Sequence, residues 1–277
     1  MPAKAPLTLL LVACLAVTAG CSFFATNPDS LSSSYEYSVG IDANETLENV
    51  TVRVPLPMQD GSSAVDADEI APNGTLETQF DSSRMGTNRT ASGAFSASVV
   101  DTEYGPMLEL TAEQFTVETR YFRYVEEDGL GRQEEISESE YDPDDPDHAK
   151  RDRRTVSTTV VLDATYPIET RDPVGTSPTL YGEGVTRELT ECTVPYRDEA
   201  ACFGYDAPAY LSYETSDDAQ VDATISAYGT NEWFTGGWTG NSYQDRVRVS
   251  ATGPQDGWVT AAGHTETGIG NYPSPET

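Results

Sequence analysis

Residues 35–57 read YEYSVGIDANETLENVTVRVPLP. Tyr35, Tyr37, Val39 and Ile41 alternate with Glu36, Ser38 and Gly40, and Val50, Val52, Val54 and Leu56 alternate with Thr51, Arg53 and Pro55. A period of two puts one set on each face of an extended chain, so both runs are expected to be half-buried strands. The polar DANE between them (Asp42–Glu45) reads as a turn, and Pro55 and Pro57 end the second run because proline cannot donate to a ladder. The expectation is a β-hairpin.

The same alternation fills the rest of the chain. AFSASVV (94–100) and MLEL (107–110) are strands joined through DTEYGP. FTVETRYFRYV (115–125) is apolar on both faces and is expected to be central. VSTTVVLDATYPI (156–168), APAYLSY (207–213), AQVDATISAYG (219–229), SYQDRVRVSATG (242–253) and GWVTAAGH (257–264) follow. Residues 58–92 are rich in Gly, Ser, Asp and Asn and read as a long loop, with one helical turn in SAVDADEIA. Residues 126–154 read as a polar hairpin tip or an excursion from the sheet. Short strands at regular spacing predict an all-β fold, an antiparallel sandwich or barrel-like Greek key with few or no helices outside the leader described below. YLSYETSDDAQVDATI (210–225) echoes the opening stretch as strand, acidic turn, strand, which suggests two similar halves breaking near 170–190.

The chain has 46 acidic and 16 basic residues in 277, a net charge of −30. In dilute buffer such a surface repels itself; in molar salt the Debye length falls to about 3 Å and the repulsion is screened. The composition therefore suits brine. It excludes nucleic acid as a partner, since phosphate binding needs a basic face.

The N-terminus supplies an address. Lys4 precedes the apolar run LTLLLVACLAV (7–17), and the small residues Thr18, Ala19 and Gly20 precede Cys21. The run is shorter than the roughly 20 apolar residues a bilayer span needs, so residues 1–20 read as a signal peptide. TAGC resembles a lipobox, where prokaryotic lipoproteins are cut before a lipid-modified cysteine. Ala19 and Gly20 match that pattern, and Thr18 stands where Leu is usual. The resemblance implies a lipid on Cys21, a polar tether over 21–33 and a β-rich ectodomain over 34–277. It also implies a place on the outer face of the cell membrane. Cys14 leaves with the leader, so Cys192 and Cys202 remain as an even pair, expected as a disulfide outside the cell. Asn44, Asn49, Asn73 and Asn88 each open an N-x-T sequon and are candidate glycosylation sites.

No constellation of residues points to a specific reaction. The only histidines are His148, in a charged loop and expected to be exposed, and His264, which could serve a triad only with distant partners. DPDDPD (142–147) fails the EF-hand template, with Pro146 at the fifth position and Asp147 where Gly is needed. No metal or cofactor is expected, and the chain reads as a non-enzyme. NEWFTGGWTGNSY (231–243) is the most unusual stretch. Its Trp233, Phe234, Trp238 and Tyr243 are expected either to cap the core or to form an aromatic binding surface. Together, TAGC, the opening stretch and the acidic, lysine-poor body resemble haloarchaeal surface lipoproteins of unknown function. The resemblance implies a binding or structural module of the cell envelope, with an envelope protein or glycan as partner. The alternatives are a secreted hydrolase using His264 and a carbohydrate- or solute-binding lipoprotein.

Overall fold

Alternating side chains become strands here because each apolar set finds one shared interior. The computed structural model describes residues 30–70, 75–79, 90–127, 130–152, 154–164, 167–181, 185–192 and 200–272. Cys21, Asn73 and Asn88 lie outside the described residues. The fold is all-β and antiparallel, as expected. The main strands are β1 (Ser32–Ala43), β2 (Leu47–Pro55), β3 (Met58–Gln59), β4 (Ser62–Ser63), β5 (Thr75–Gln79), β6 (Thr90–Thr102) and β7 (Gly105–Phe115). After them come β8 (Arg120–Glu127), β9 (Leu130–Ile136), β10 (His148–Arg151), β11 (Arg154–Asp163) and β12 (Glu188–Thr190). The chain closes with four long strands: β13 (Ala201–Glu214), β14 (Gln220–Phe234), β15 (Trp238–Thr252) and β16 (Gln255–Gly270). One helical turn, α1 (Ala67–Ile70), falls where SAVDADEIA predicts it.

Eleven strands form one sheet in the order β11-β1-β14-β15-β16-β13-β2-β7-β6-β5, with β12 on the side of β13. The sheet curls until the β11 and β5 edges approach each other. Among the described residues, its inner face holds one apolar cluster that includes Tyr37, Val39, Ile41, Val50, Val52, Val54, Leu211, Val221, Ala223, Ile225, Val247 and Val249.

The expected hairpin of residues 35–57 does not form. β1 pairs with β14 and β11, whereas β2 pairs with β13 and β7. The two strands face each other across the core, and the Tyr37 hydroxyl donates to the Pro55 carbonyl at 3.2 Å. The echoing segment behaves the same way: β13 and β14 are consecutive but lie beside different partners. The two acidic links pack on each other instead. Asn44 N–H donates to the Gln220 carbonyl at 3.2 Å, Gln220 N–H donates to Asn44 Oδ1 at 2.7 Å, and Thr215 Oγ1 donates to the Thr46 carbonyl at 3.1 Å.

Three other expectations are corrected. Residues 58–92 contain β3, β4 and β5 as well as α1, and Asp60–Gly61, with φ of 51° and 77°, closes a two-residue hairpin. That pair of positive angles is what a type I′ turn demands. FTVETRYFRYV is not one strand: β7 stops at Phe115, and β8 is the middle strand of a separate three-stranded sheet, β10-β8-β9. Residues 126–152 thus form an excursion, as expected. His148 is not exposed. Its side chain is 11% accessible, it stacks on Tyr141, and its Nδ1 accepts the Asp142 N–H at 2.9 Å.

Curling brings large rings against glycine. Tyr243 is fully buried on β15 directly opposite Gly229 on β14, and a Cβ built at Gly229 would collide with the ring. At Gly40, the nearest atoms to such a Cβ are 3.7 Å away. Gly229→Ala should therefore cost about 1–3 kcal/mol, the range for overpacking a core, and Gly40→Ala should change little. Denaturant unfolding in molar KCl measures both, and equal effects would contradict the packing described.

Candidate functional site

The prolines that end β2 also open a cleft. The last β2–β13 pairs join Val52 to Leu211 and Arg53 to Tyr210, while β12 covers β13 only at Cys202–Gly204. Between them Tyr205–Ala209 has no ladder neighbour on that side among the described residues. Pro208 suits this gap, because it has no N–H to leave unpaired. The space beside it is a cleft of about 740 Å³, lined by Pro55, Met58, Tyr104, Pro106, Tyr181 and Pro208, with Asp60 and Asp206 among its polar residues. Concave, mostly apolar sites with a few converging polar groups are where small ligands bind.

A strap forms one wall. Residues 167–181 cross the open side of the curled sheet and are held by polar side chains at inward positions of β14 and β15. Asn231 acts as a strand edge for Ile168: its Oδ1 accepts the Ile168 N–H and its Nδ2 donates to the Ile168 carbonyl, both at 2.8 Å. Asn231 also donates to Asn241 Oδ1 at 2.8 Å, which accepts from Thr170 Oγ1 at 2.9 Å. Tyr243 donates to the Pro178 carbonyl, and Met58 and Thr179 exchange backbone bonds of 2.8 and 3.1 Å.

Asp245 lies behind the cleft and is fully buried. It accepts from the Leu180 N–H at 2.6 Å, the Tyr205 hydroxyl at 2.7 Å and Thr265 Oγ1 at 3.0 Å. Tyr205 packs on Tyr181 with ring centroids 4.8 Å apart, and Arg187 donates to the Tyr181 hydroxyl at 3.0 Å while lying over its ring. Burial is the larger influence on Asp245 and outweighs its hydrogen bonds, so its carboxyl is pushed up to about 6. The same burial, with the Asp245 charge nearby, holds the Tyr205 hydroxyl far above the ordinary tyrosine range.

On the outer face beside the cleft, one residue from each of four adjacent strands forms a row. Trp258 lies opposite Tyr210, Tyr210 opposite Arg53, and Arg53 opposite Glu109. Arg53 sits 4.7 Å over the Tyr210 ring and pairs with Glu109 at 2.7 Å. The exposed Tyr104, which also lines the cleft, meets Trp258 edge-on at 4.8 Å. No local sequence signal marks Tyr104 and Tyr210, since their convergence depends on which strands are neighbours.

The aromatic stretch 231–243 divides by alternation. Trp233 and Tyr243 point inward and are 4% and 0% exposed, whereas Phe234 and Trp238 point outward and are 51% and 71% exposed. Trp233 and Tyr243 thus pack inward, and the outward pair is Phe234 and Trp238. Cys192 and Cys202 form a disulfide with Cα atoms 5.3 Å apart. His264 Nε2 lies 3.4 Å from Glu266 Oε1, and the third group in reach is Cys202, whose sulfur is committed to the disulfide. Asn44 bonds Gln220 through its N–H and its Oδ1. Asn49 is exposed on β2 with φ of 53°, and its Nδ2 donates to Glu214 at 3.3 Å. Against β13 the register shifts there, since the pairs Thr51–Ser212 and Glu48–Glu214 set three steps of β2 against two of β13, so Asn49 sits at a bulge.

The buried Asp245 predicts a pH dependence. The folded state binds its proton up to about pH 6, against an ordinary value of 3.8. The native protein therefore carries more protons between those values, and stability falls as pH rises through them. The loss, about 3 kcal/mol at 1.36 kcal/mol per pH unit, is complete above the folded value. The unfolding free energy of wild type minus that of Asp245→Asn should fall by about this much between pH 4 and pH 7, read from denaturant melts in molar KCl. A difference independent of pH would contradict the assignment. Comparison with protein families, curated proteins and solved structures finds no match to this chain.

Proposed function

We propose that the chain is a lipid-anchored, extracellular binding module of a halophile's cell envelope, and that the cleft beside Tyr104 receives its ligand. The observation that carries this reading is the cleft itself, a concave, ring-lined space at the stretch of β13 that has no ladder neighbour on that side among the described residues. The exposed Tyr104 and the neighbouring Trp258 supply flat apolar faces, and Asp60 and Asp206 supply hydrogen-bond acceptors. That combination suits a sugar, which offers an apolar face and a ring of hydroxyls, so an envelope glycan is the ligand class this geometry favours. The anchor rests on TAGC and the apolar leader before it.

Two measurements test the two parts. Expressed in a halophilic host, wild type should sediment with membranes and Cys21→Ser should appear in the medium or soluble fraction. Retention of Cys21→Ser on membranes would defeat the anchor. Oligosaccharides released from the host envelope should change Trp258 emission saturably. Tyr104→Ala should weaken that binding about tenfold, equivalent to ~1.4 kcal/mol. Absence of any saturable change in wild type would defeat the glycan-binding reading.

A further inference from the structure

The β14–β15 tip overhangs the sheet. β1 begins at Ser32, opposite Glu232, and the last β16 pair joins Gly270 to Asn241, so, among the described residues, 233–239 extend past the last ladder pair on each side. The tip turns through Thr235–Gly237, with the Thr235 N–H donating to the Gly237 carbonyl at 3.0 Å and Gly236 at φ 83°. Phe234 and Trp238 are cross-strand partners whose rings meet edge to face at 5.9 Å, and both remain open to solvent. In a chain of net charge −30, residues 233–244 carry no charged side chain.

The chain enters the domain at this same tip: the Phe234 N–H donates to Ser30 Oγ at 2.9 Å. Ser30 follows Cys21 by nine residues, which at full extension reach about 30 Å, by the limit of roughly 3.3–3.6 Å per residue. The acidic excursion of residues 126–152 leaves the sheet at the other end, between Phe115, opposite Leu47, and Arg154, opposite Ala43. The domain is thus polar along its strands, with uncharged rings and the chain entry at one end and the acidic sheet at the other.

We propose that the Phe234–Trp238 tip is a membrane-docking element, seated in the headgroup region of the lipid surface to which Cys21 is anchored. Tryptophan concentrates at the membrane–water interface, where its ring is half in hydrocarbon and its N–H stays wet. Two rings at a glycine-flexed tip would sink the roughly 5–10 Å typical of interfacial elements. The short tether supplies proximity, and the tip supplies orientation, pointing the acidic sheet away from the surface. High salt removes the long-range repulsion that would otherwise keep so acidic a domain away from anionic lipid. This inference rests on the anchor proposed above, and its test separates the two.

The full-length protein, purified from membranes of a halophilic host, is reconstituted in phosphatidylcholine vesicles with brominated acyl chains, in molar KCl. Part of the tryptophan emission should be quenched relative to unbrominated vesicles, and Trp238→Phe should remove that quenched component while remaining anchored. Trp233 is buried in the core and so serves as an internal unquenched signal. No quenching in the anchored wild type, or quenching unchanged in Trp238→Phe, overturns the docking proposal and leaves the anchor standing. Fractionation of Cys21→Ser reads the anchor by itself, because quenching reports the tip whatever holds the chain.

Discussion

The fold depends on two short links that refuse to become hairpins. Residues 43–47 and 214–220 each carry the chain from one side of the core to the other, and each satisfies the other's polar groups through Asn44, Gln220, Thr46 and Thr215. Because both cross, β1 can lie beside β14 and β2 beside β13, and the sheet closes around one interior. Every later feature follows from this exchange. The strap crosses the side left open, the cleft marks where β2 ends before β13 does, and the chain entry and the β14–β15 tip come to the same end.

The inner face changes character along its length for a reason. Near the corners, β14 and β15 present Val221, Ala223, Ile225, Val247 and Val249 to other side chains. Farther along, the same inward positions are Asn231, Asn241 and Asp245, where the neighbour is a strap with unpaired N–H and C=O groups. Buried backbone must be hydrogen-bonded, and an apolar wall there would strand it at about 1–3 kcal/mol per group. Asp245 carries the burden of this solution: it meets donors on three sides, but its charge is held away from water.

Much of this was legible. Alternation marked the inward residues of β1, β2, β14 and β15, and the leftover cysteines marked the disulfide. Pairing was not legible from alternation, since a period of two says which way a side chain points and nothing about which strand lies beside it. Turn chemistry did carry a signal. The tight turns at Asp60–Gly61, Tyr104–Gly105, Gly236 and Gly253 all contain glycine with positive φ, whereas DANE and TSDDA contain none. Polar residues at inward positions were a second signal, because Asn231, Asn241 and Asp245 keep the period of their strands while breaking its apolar rule. The Tyr104–Trp258–Tyr210 cluster had no local signature, for its members are brought together from three separate parts of the chain.

Exchange of partners at the corners is the claim on which the rest stands, and interstrand nuclear Overhauser effects test it directly. Contacts should join Val39 with Ile225 and Val52 with Leu211, running outward along β1–β14 and β2–β13. A ladder of contacts between β1 and β2, starting at Ala43 with Leu47 and running back along both strands, would mean that the opening stretch is a hairpin after all and would contradict the account.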